Sequence, residues 1–236
     1  MIKGIYTAAR SLEYKVKNID VIANNLANLS TTGYKREVPF SEVINQMGDV
    51  QVKKITSQRQ GDVLQTANPL DLAITGKGFF AVKNDNGEIE LTRNGRFKIS
   101  DEGFLVDNSD QKVLGKNGPI SMEDTMQNKD SKILITKNGE IKIGDKTVDT
   151  LLIMNVADST QLVRANESNF TADGQQYFAA PENDYGISQG YLEGANTNAI
   201  EEMEAMIQLN KEYESAQKII TALDQSLGQA NEIGKV

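Results

Sequence analysis

Apolar positions at the start of the chain fall at Ile5, Ala9, Leu12, Val16, Ile19, Ala23 and Leu26, in alternating steps of 4 and 3. This is an unbroken heptad seam, and it predicts a helix that ends near Asn28 to Ser30. A lone globular helix shows a broader stripe at 3.6 spacing, so a seam this narrow asks for a partner helix. The β-branched pair Thr31 and Thr32 follows, then Gly33, which takes a left-handed turn at low cost. A second seam near the other end runs Met203, Met206, Leu209, Tyr213, Ala216, Ile220, Leu223, Leu227 and Ala230. Its steps are heptad-like with one stammer near Leu209. It predicts a helix from about Ala199 to Asn231, with Asn196 or Asn198 as N-cap and Glu201, Glu202 and Glu204 on the positive end of the helix dipole.

Between the helices the period changes. Tyr34 to Phe40 reads extended ahead of and through Pro39. Ser41 to Ile44 reads as one helical turn, Val50 to Ile55 as a weak strand, and Ser57 to Asp62 as loop. From about 63 to 187 short apolar runs recur at Leu72–Ile74, Phe79–Val82, Ile89–Leu91, Lys132–Ile135 and Leu151–Val156. Turn pairs punctuate them at Asn86-Gly87, Asn94-Gly95, Asn117-Gly118, Asn138-Gly139 and Asp173-Gly174, the strongest short-range hairpin signal. Closely spaced strands without a long helix predict an antiparallel domain, sandwich-like or an irregular barrel. The fold class expected is therefore α+β: terminal heptad helices pairing as a coiled coil, with a mainly antiparallel β domain between them. The expected boundaries are 1–33 for the first helix, 34–62 for an extended linker, 63–187 for the β domain and 188–236 for the second helix. The β domain, with its own hairpins and core, is expected to fold without the termini.

Composition narrows the chemistry. The 236 residues carry a net charge of −8, which disfavours nucleic acid as a partner. No run reaches the roughly 20 apolar residues of a membrane span. Cysteine and histidine are absent, which removes thiolate nucleophiles, disulfides, the usual general base and the commonest zinc ligands. No cofactor is called for. Gly76-Lys77-Gly78 lacks the spacing of a phosphate loop and reads as a tight turn under Phe79 and Phe80. Arg93 and Arg96 read as exposed hairpin arginines, and Glu102, Asp107 and Asp110 as surface charge. The ends differ in sign: residues 1–40 carry +3 and residues 193–236 carry −5, which suits helices that lie together. Charged residues from Arg10 to Lys17 interrupt what a cleavable signal peptide would need.

Asn24-Asn25-Leu26-Ala27-Asn28, followed by Ser30-Thr31-Thr32-Gly33-Tyr34-Lys35-Arg36, resembles the N-terminal signature of the bacterial flagellar rod and hook proteins. The segment Asn68 to Val82 resembles that family's second signature. Leu91-Thr92-Arg93-Asn94-Gly95-Arg96-Phe97, Gly103-Phe104-Leu105-Val106 and Val113-Leu114-Gly115 follow in its order. Glu193-Gly194-Ala195-Asn196-Thr197 resembles the third signature, with Ala195 and Thr197 in place of the family's serine and valine.

The resemblance implies a structural subunit of the flagellar basal-body rod, polymerising through its terminal helices with copies of itself and other rod or hook subunits. It implies a β domain on the outside of a helical tube, and export through the flagellum's type III apparatus, without a cleaved signal peptide, to the periplasmic rod. The short segment from Tyr34 to Asp62 favours a proximal-rod subunit, with distal rod or hook as alternatives. The expected subunit interface comprises Ile5, Leu12, Val16, Ile19, Asn24, Asn25, Leu26 and Asn28 on the first helix. On the second it comprises Met203, Met206, Leu209, Tyr213, Ile220, Leu223 and Leu227. Asn18, Asn24, Asn25 and Asn28 crowd eleven residues of a helix that asparagine disfavours, which suggests a polar interface fixing register. An enzyme reading, a carboxylate-dependent cell-wall glycosidase, would need an Asp/Glu pair about 5–10 Å apart, and the sequence nominates none.

Overall fold

A computed structural model describes residues 2–41, 52–123, 132–144, 146–158, 162–166, 168–171 and 177–233. The chain divides into two units. One comprises residues 1–27, 37–55 and 197–236; the other comprises 28–36 and 56–196.

The first unit is built on α1 (Ile2–Ala27) and α2 (Ala199–Ile233). They run antiparallel in constant register. The methyl that a side chain at Gly4 would add meets Leu223, Lys15 bonds Glu212, and Asn25 bonds Glu202, so 21 residues along α1 match 21 back along α2. On α2 the expected seam is the half-buried stripe: Met206, Leu209, Tyr213, Ala216, Ile220, Leu223 and Leu227 all lie on it. Met203 is 46% exposed and lies outside it.

On α1 the expected seam is split. Leu12, Ile19 and Leu26 are half-buried, while Ala9, Val16 and Ala23 are exposed, and the most buried positions are Asn18, Val21, Ile22 and Asn25. The helix is rolled away from the face that a count of apolar residues selects. Its register is pinned by Lys15 and Asn25, two polar residues such a count leaves out. Ile5 lies on α1, with its side chain outside what the structure describes. A two-stranded ribbon, Glu37–Ser41 with Val52–Thr56, accompanies the helices. Ser41 thus ends a strand; the rest of the helical turn expected at Ser41 to Ile44 lies outside the described residues, as does the turn at Asp173-Gly174.

The second unit is β structure. Among the described residues its largest sheet has ten strands. The main path runs Val163–Arg164, Asn169–Thr171, Ile89–Thr92, Phe79–Lys83, Lys112–Gly115, Leu105–Val106 and Lys98–Ile99, and the pairings along it are antiparallel. Three of the expected Asn-Gly turns form. Asn86-Gly87 links Phe79–Lys83 to Ile89–Thr92, Asn117-Gly118 turns Lys112–Gly115 back on Gly118–Pro119, and Asn138-Gly139 links Ile133–Ile135 to Glu140–Ile143.

Strand Phe79–Lys83 is covered on both faces. Phe80 and Val82 enter one hydrophobic cluster with Leu72, Ile141 and Ile187; Phe79 and Ala81 enter another with Leu91 and Phe170. The two outer ends of this unit come from distant sequence. Tyr185–Gln189 pairs with Leu72–Gly76, and Tyr191–Glu193 pairs with Val63–Gln65, so strands continue six residues past the expected boundary at 187.

Candidate functional site

The three motif segments meet inside the β unit, around one carboxylate. Glu193 is fully buried. Its Oε1 accepts from Lys35 Nζ at 2.6 Å and from the Gly61 amide at 3.1 Å, and its Oε2 accepts from Arg93 Nη1 at 3.1 Å. Lys35 and Arg93 are 1% and 5% exposed. Lys35 also donates to the Arg59 carbonyl at 2.8 Å, and Arg93 to the carbonyls of Ile74 and Gly76 at 3.3 and 2.7 Å. Burial pushes both cations below their usual pKa, and Glu193 partly restores them. Two cations on one carboxylate, all out of water, make a buried ion cluster that is costly to break from the anion's side.

Backbone contacts tie the same segments together. The Gly33 amide donates to the Glu193 carbonyl at 2.7 Å, and the Asn196 amide donates to the Tyr34 carbonyl at 3.3 Å. Asn196 then clamps with its side chain, accepting from the Arg36 amide at 2.6 Å and donating to the carbonyls of Ser57 and Arg59. Gly33 has a φ of +70°, and a Cβ there would lie 2.3 Å from the Asn94 nitrogen, so a larger residue would part the first and second motifs. Arg164 stacks over Tyr34 at 4.5 Å and donates to the Lys35 carbonyl, closing the cluster from another side.

Two sequence expectations are corrected here. Arg93 is buried and ion-paired, while Arg96 is exposed as expected. Asn94-Gly95 is not a hairpin turn. The Asn94 side chain accepts from the Arg96 amide, and Gly95 packs so closely on strand Leu72–Gly76 that a Cβ would sit 1.8 Å from the Leu72 oxygen. The burial of Arg93 had a legible signal. Leu91 faces the core, and period-2 alternation puts Arg93 on the same side. Glu193 and Lys35 carried no such signal. The N-cap alternatives resolve as well: the Asn198 side chain accepts from the Ile200 amide, whereas Asn196 is spent on the clamp.

In the helical unit, Asn25 is fully buried and behaves as a piece of strand. Its Nδ2 donates to the Glu37 carbonyl at 2.8 Å, its Oδ1 accepts from the Glu37 amide at 2.9 Å, and Nδ2 also lies 3.3 Å from the Glu202 carboxylate. Asn24 is exposed and Asn28 half-buried. We expect Asn25→Ala to destabilise the helical unit by about 1–3 kcal/mol, because it strands buried partners for a small gain in helix propensity. The check is the helical transition in thermal unfolding of the full chain. An unchanged or raised midpoint would contradict it.

Asp107 is a third correction. It is 5% exposed, and its Oδ1 accepts from the amides of Ser109 and Gln111 in a turn. Glu90, 7% exposed, is held nearby by the side-chain amides of Asn84, Gln111 and Asn169. Burial raises the Asp107 pKa, the turn amides and Asn169 oppose this, and Glu90 adds to the rise. A folded-state pKa above the unfolded value means the folded chain binds the extra proton. Stability is then greatest below the unfolded pKa, and it falls as pH rises toward and through the folded value. Asp107→Asn is therefore expected to raise the melting temperature at pH 7 and to lose that advantage below about pH 4. Parallel melts at the two pH values check it; a lowered midpoint at pH 7 would count against the assignment.

No group of potential metal ligands occurs among the described residues, and no described helix is long and apolar enough to cross a membrane.

Comparison with known proteins follows the same three segments. Residues 5–35 match the model for the flagella basal body rod protein, 73–143 that for the flagellar hook protein FlgE/F/G D1 domain, and 188–233 that for the flagellar basal body rod FlgEFG protein C-terminal region. The chain is 30% identical over 263 positions to the basal-body rod protein FlgG of Buchnera aphidicola subsp. Baizongia pistaciae, covering 96% of this chain and 98% of that protein. The chain belongs to the flagellar basal-body rod protein family. Against FlgF of Buchnera aphidicola subsp. Schizaphis graminum this rod-family chain is 30% identical over 259 positions, covering 100% of it and 99% of the relative. Against FlgF of Rhizobium meliloti it is 28% identical over 240 positions, covering 98% of each. It is a structural component of the flagellar basal body and not an enzyme. The buried carboxylates and cations of the rod-family chain accordingly act as architecture: each is tied to backbone or amide partners that fix one segment against another.

Proposed function

We propose that this chain is a subunit of the proximal rod, polymerising through α1 and α2, paired as a coiled coil, into the axial drive shaft of the flagellum. The observation that carries the reading is end-to-end similarity to basal-body rod proteins, both terminal helices included. The proximal assignment is supported by length. The segment between the first helix and the β unit, Tyr34 to Asp62, is short, with no added stretch of the kind expected of a distal-rod subunit. The expected seam residues of both helices form the subunit interface, with Asn24 rather than the buried Asn25 presented outward. Partners are further copies and neighbouring rod subunits, reached after export through the type III apparatus without removal of a signal peptide. No nucleic acid, membrane insertion or cofactor is involved.

The test is to locate the chain in purified basal bodies by immunolabelling. Label at the base of the rod supports the proximal assignment. Label toward the hook transfers it to the distal rod or hook, and absence from the basal body ends the reading. Leu26→Asp puts a charge on the seam and is expected to block incorporation while leaving the β unit folded.

A further inference from the structure

The heptad seam of α1 is only half used within the chain. Leu12, Ile19 and Leu26 are half-buried, but the alternate positions Ala9, Val16 and Ala23 are open, at intervals of seven residues along one line. Two of the three are alanine, so this line lets another helix approach closely. At its Ala23 end lies a groove of about 490 Å3 lined by Lys17, Asp20, Val21, Ala23, Asn24 and Lys54.

α2 carries a patch of large apolar side chains, which border an open hollow of about 470 Å3 together with Glu204, Gln208 and Lys211. Ile200, Met203 and Ile207, spaced 3 and 4 apart on one face, are 73%, 46% and 58% exposed. Exposed Glu201 and Glu204 accompany them. Because Asn25 pairs with Glu202, Ala23 and Met203 sit at nearly the same level of the helical pair. Both are nevertheless exposed, so neither covers the other within one chain.

We propose that Ile200, Met203 and Ile207 of one copy seat in the Ala23 groove of the next, along the open Ala9–Val16–Ala23 line. The proposal rests on the rod reading and deepens it by naming the two faces that meet. Size complementarity is one argument: large side chains on one face, alanines on the other. Charge is the second. The groove lining has two lysines to one aspartate, and the patch has two glutamates, Glu201 and Glu204, to one lysine, Lys211, so the net charges attract in this arrangement, whereas groove-to-groove or patch-to-patch contact sets like net charges together. Lys17 already pairs with Glu13 and Lys54 with the buried Glu37, and a further carboxylate is accommodated at a half-exposed ammonium with three donors. Two different patches make a heterologous contact, which repeats into an open filament instead of closing a dimer.

The chain has no cysteine, so single-cysteine variants report contacts between copies without ambiguity. Ala23→Cys and Ile207→Cys, carrying different tags, are produced together in the flagellated host, and purified basal bodies are oxidised. The expected result is a mixed disulfide dimer several-fold in excess of either like-with-like dimer. Like-with-like dimers in equal or greater amount, or no crosslink although both tags are found in the basal body, overturn the docking and leave the rod reading standing. Absence of the unaltered chain from basal bodies overturns the rod reading, and the docking with it. A second variant guards the conclusion. Ala23→Trp fills the groove and is expected to cut incorporation at least ten-fold with unchanged far-UV circular dichroism, whereas Ser11→Trp, exposed on α1 away from the line, incorporates normally. Normal incorporation of Ala23→Trp overturns the proposal.

Discussion

Replacing Glu193 with glutamine is expected to destabilise the β unit by about 3–5 kcal/mol, the usual consequence of removing one side of a buried ion pair. At about 2–4 °C per kcal/mol for a domain of this size, the melting temperature falls by roughly 6–20 °C. The variant leaves two cations, Lys35 and Arg93, buried at 1% and 5% exposure with no anion between them. Lys35 can respond by losing its proton, since burial already lowers its pKa and Glu193 is the largest influence opposing that. Arg93 has no such escape, because a guanidinium stays charged. Its Nε finds no acceptor among the described residues even in the intact protein.

The partner experiment separates this mechanism from ordinary loss of packing. Lys35→Met removes a cation and leaves Arg93 and Glu193 as a matched pair. The Arg59 carbonyl that Lys35 served keeps its 2.7 Å bond from Asn196. The loss should be less than half that of Glu193→Gln. Equal losses, or a Glu193→Gln variant within about 1 kcal/mol of the unaltered chain in equilibrium unfolding, would mean that the cluster is not what holds the motif segments together.

The helices were legible because a heptad is a long signal repeated many times, and the side of α2 facing α1 is the side its apolar residues select. On α1 the same count led partly astray. A seam records every contact a helix makes, inside its chain and beyond it, without saying which is which. The face used within the chain is set by Asn25 and Lys15, which hydrophobic periodicity does not weigh. In the β unit, the turns at Asn86-Gly87, Asn117-Gly118 and Asn138-Gly139 were legible because their conformation is decided locally. Asn94-Gly95 has the same dipeptide, but Gly95 is required by the close approach of Leu72, a neighbour more than twenty residues earlier. The ion cluster was hidden for the same reason. Lys35, Arg93 and Glu193 each sat inside a quoted motif, and only the fold brings them to one point across separations of up to 158 residues.

That convergence changes what should count as the β domain. A fragment covering 63–187, the span chosen by hairpin signals, is expected to fail to fold cooperatively, whereas 28–196 is expected to fold. The shorter piece deletes Lys35 and Glu193 and keeps Arg93, so it buries a lone guanidinium in the site built for three charges. It also removes strand Tyr191–Glu193, leaving Val63–Gln65 without its antiparallel partner, and cuts Tyr185–Gln189 short of its pairing with Leu72. Loss of the Gly33, Tyr34 and Arg36 backbone contacts opens the same region from the other side. The hydrophobic clusters of Phe80 and Phe170 survive in the fragment, so it should stay collapsed, binding a hydrophobic dye and melting without a sharp transition. The longer piece keeps all three charges, both end strands and the Asn196 clamp. Its thermal transition should be sharp and should be abolished or strongly lowered by Glu193→Gln. A sharp, denaturant-sensitive transition in 63–187 equal to that of 28–196 would show that the hairpins and their core suffice, and that the joined ends of the chain are an addition to the fold and not a condition of it.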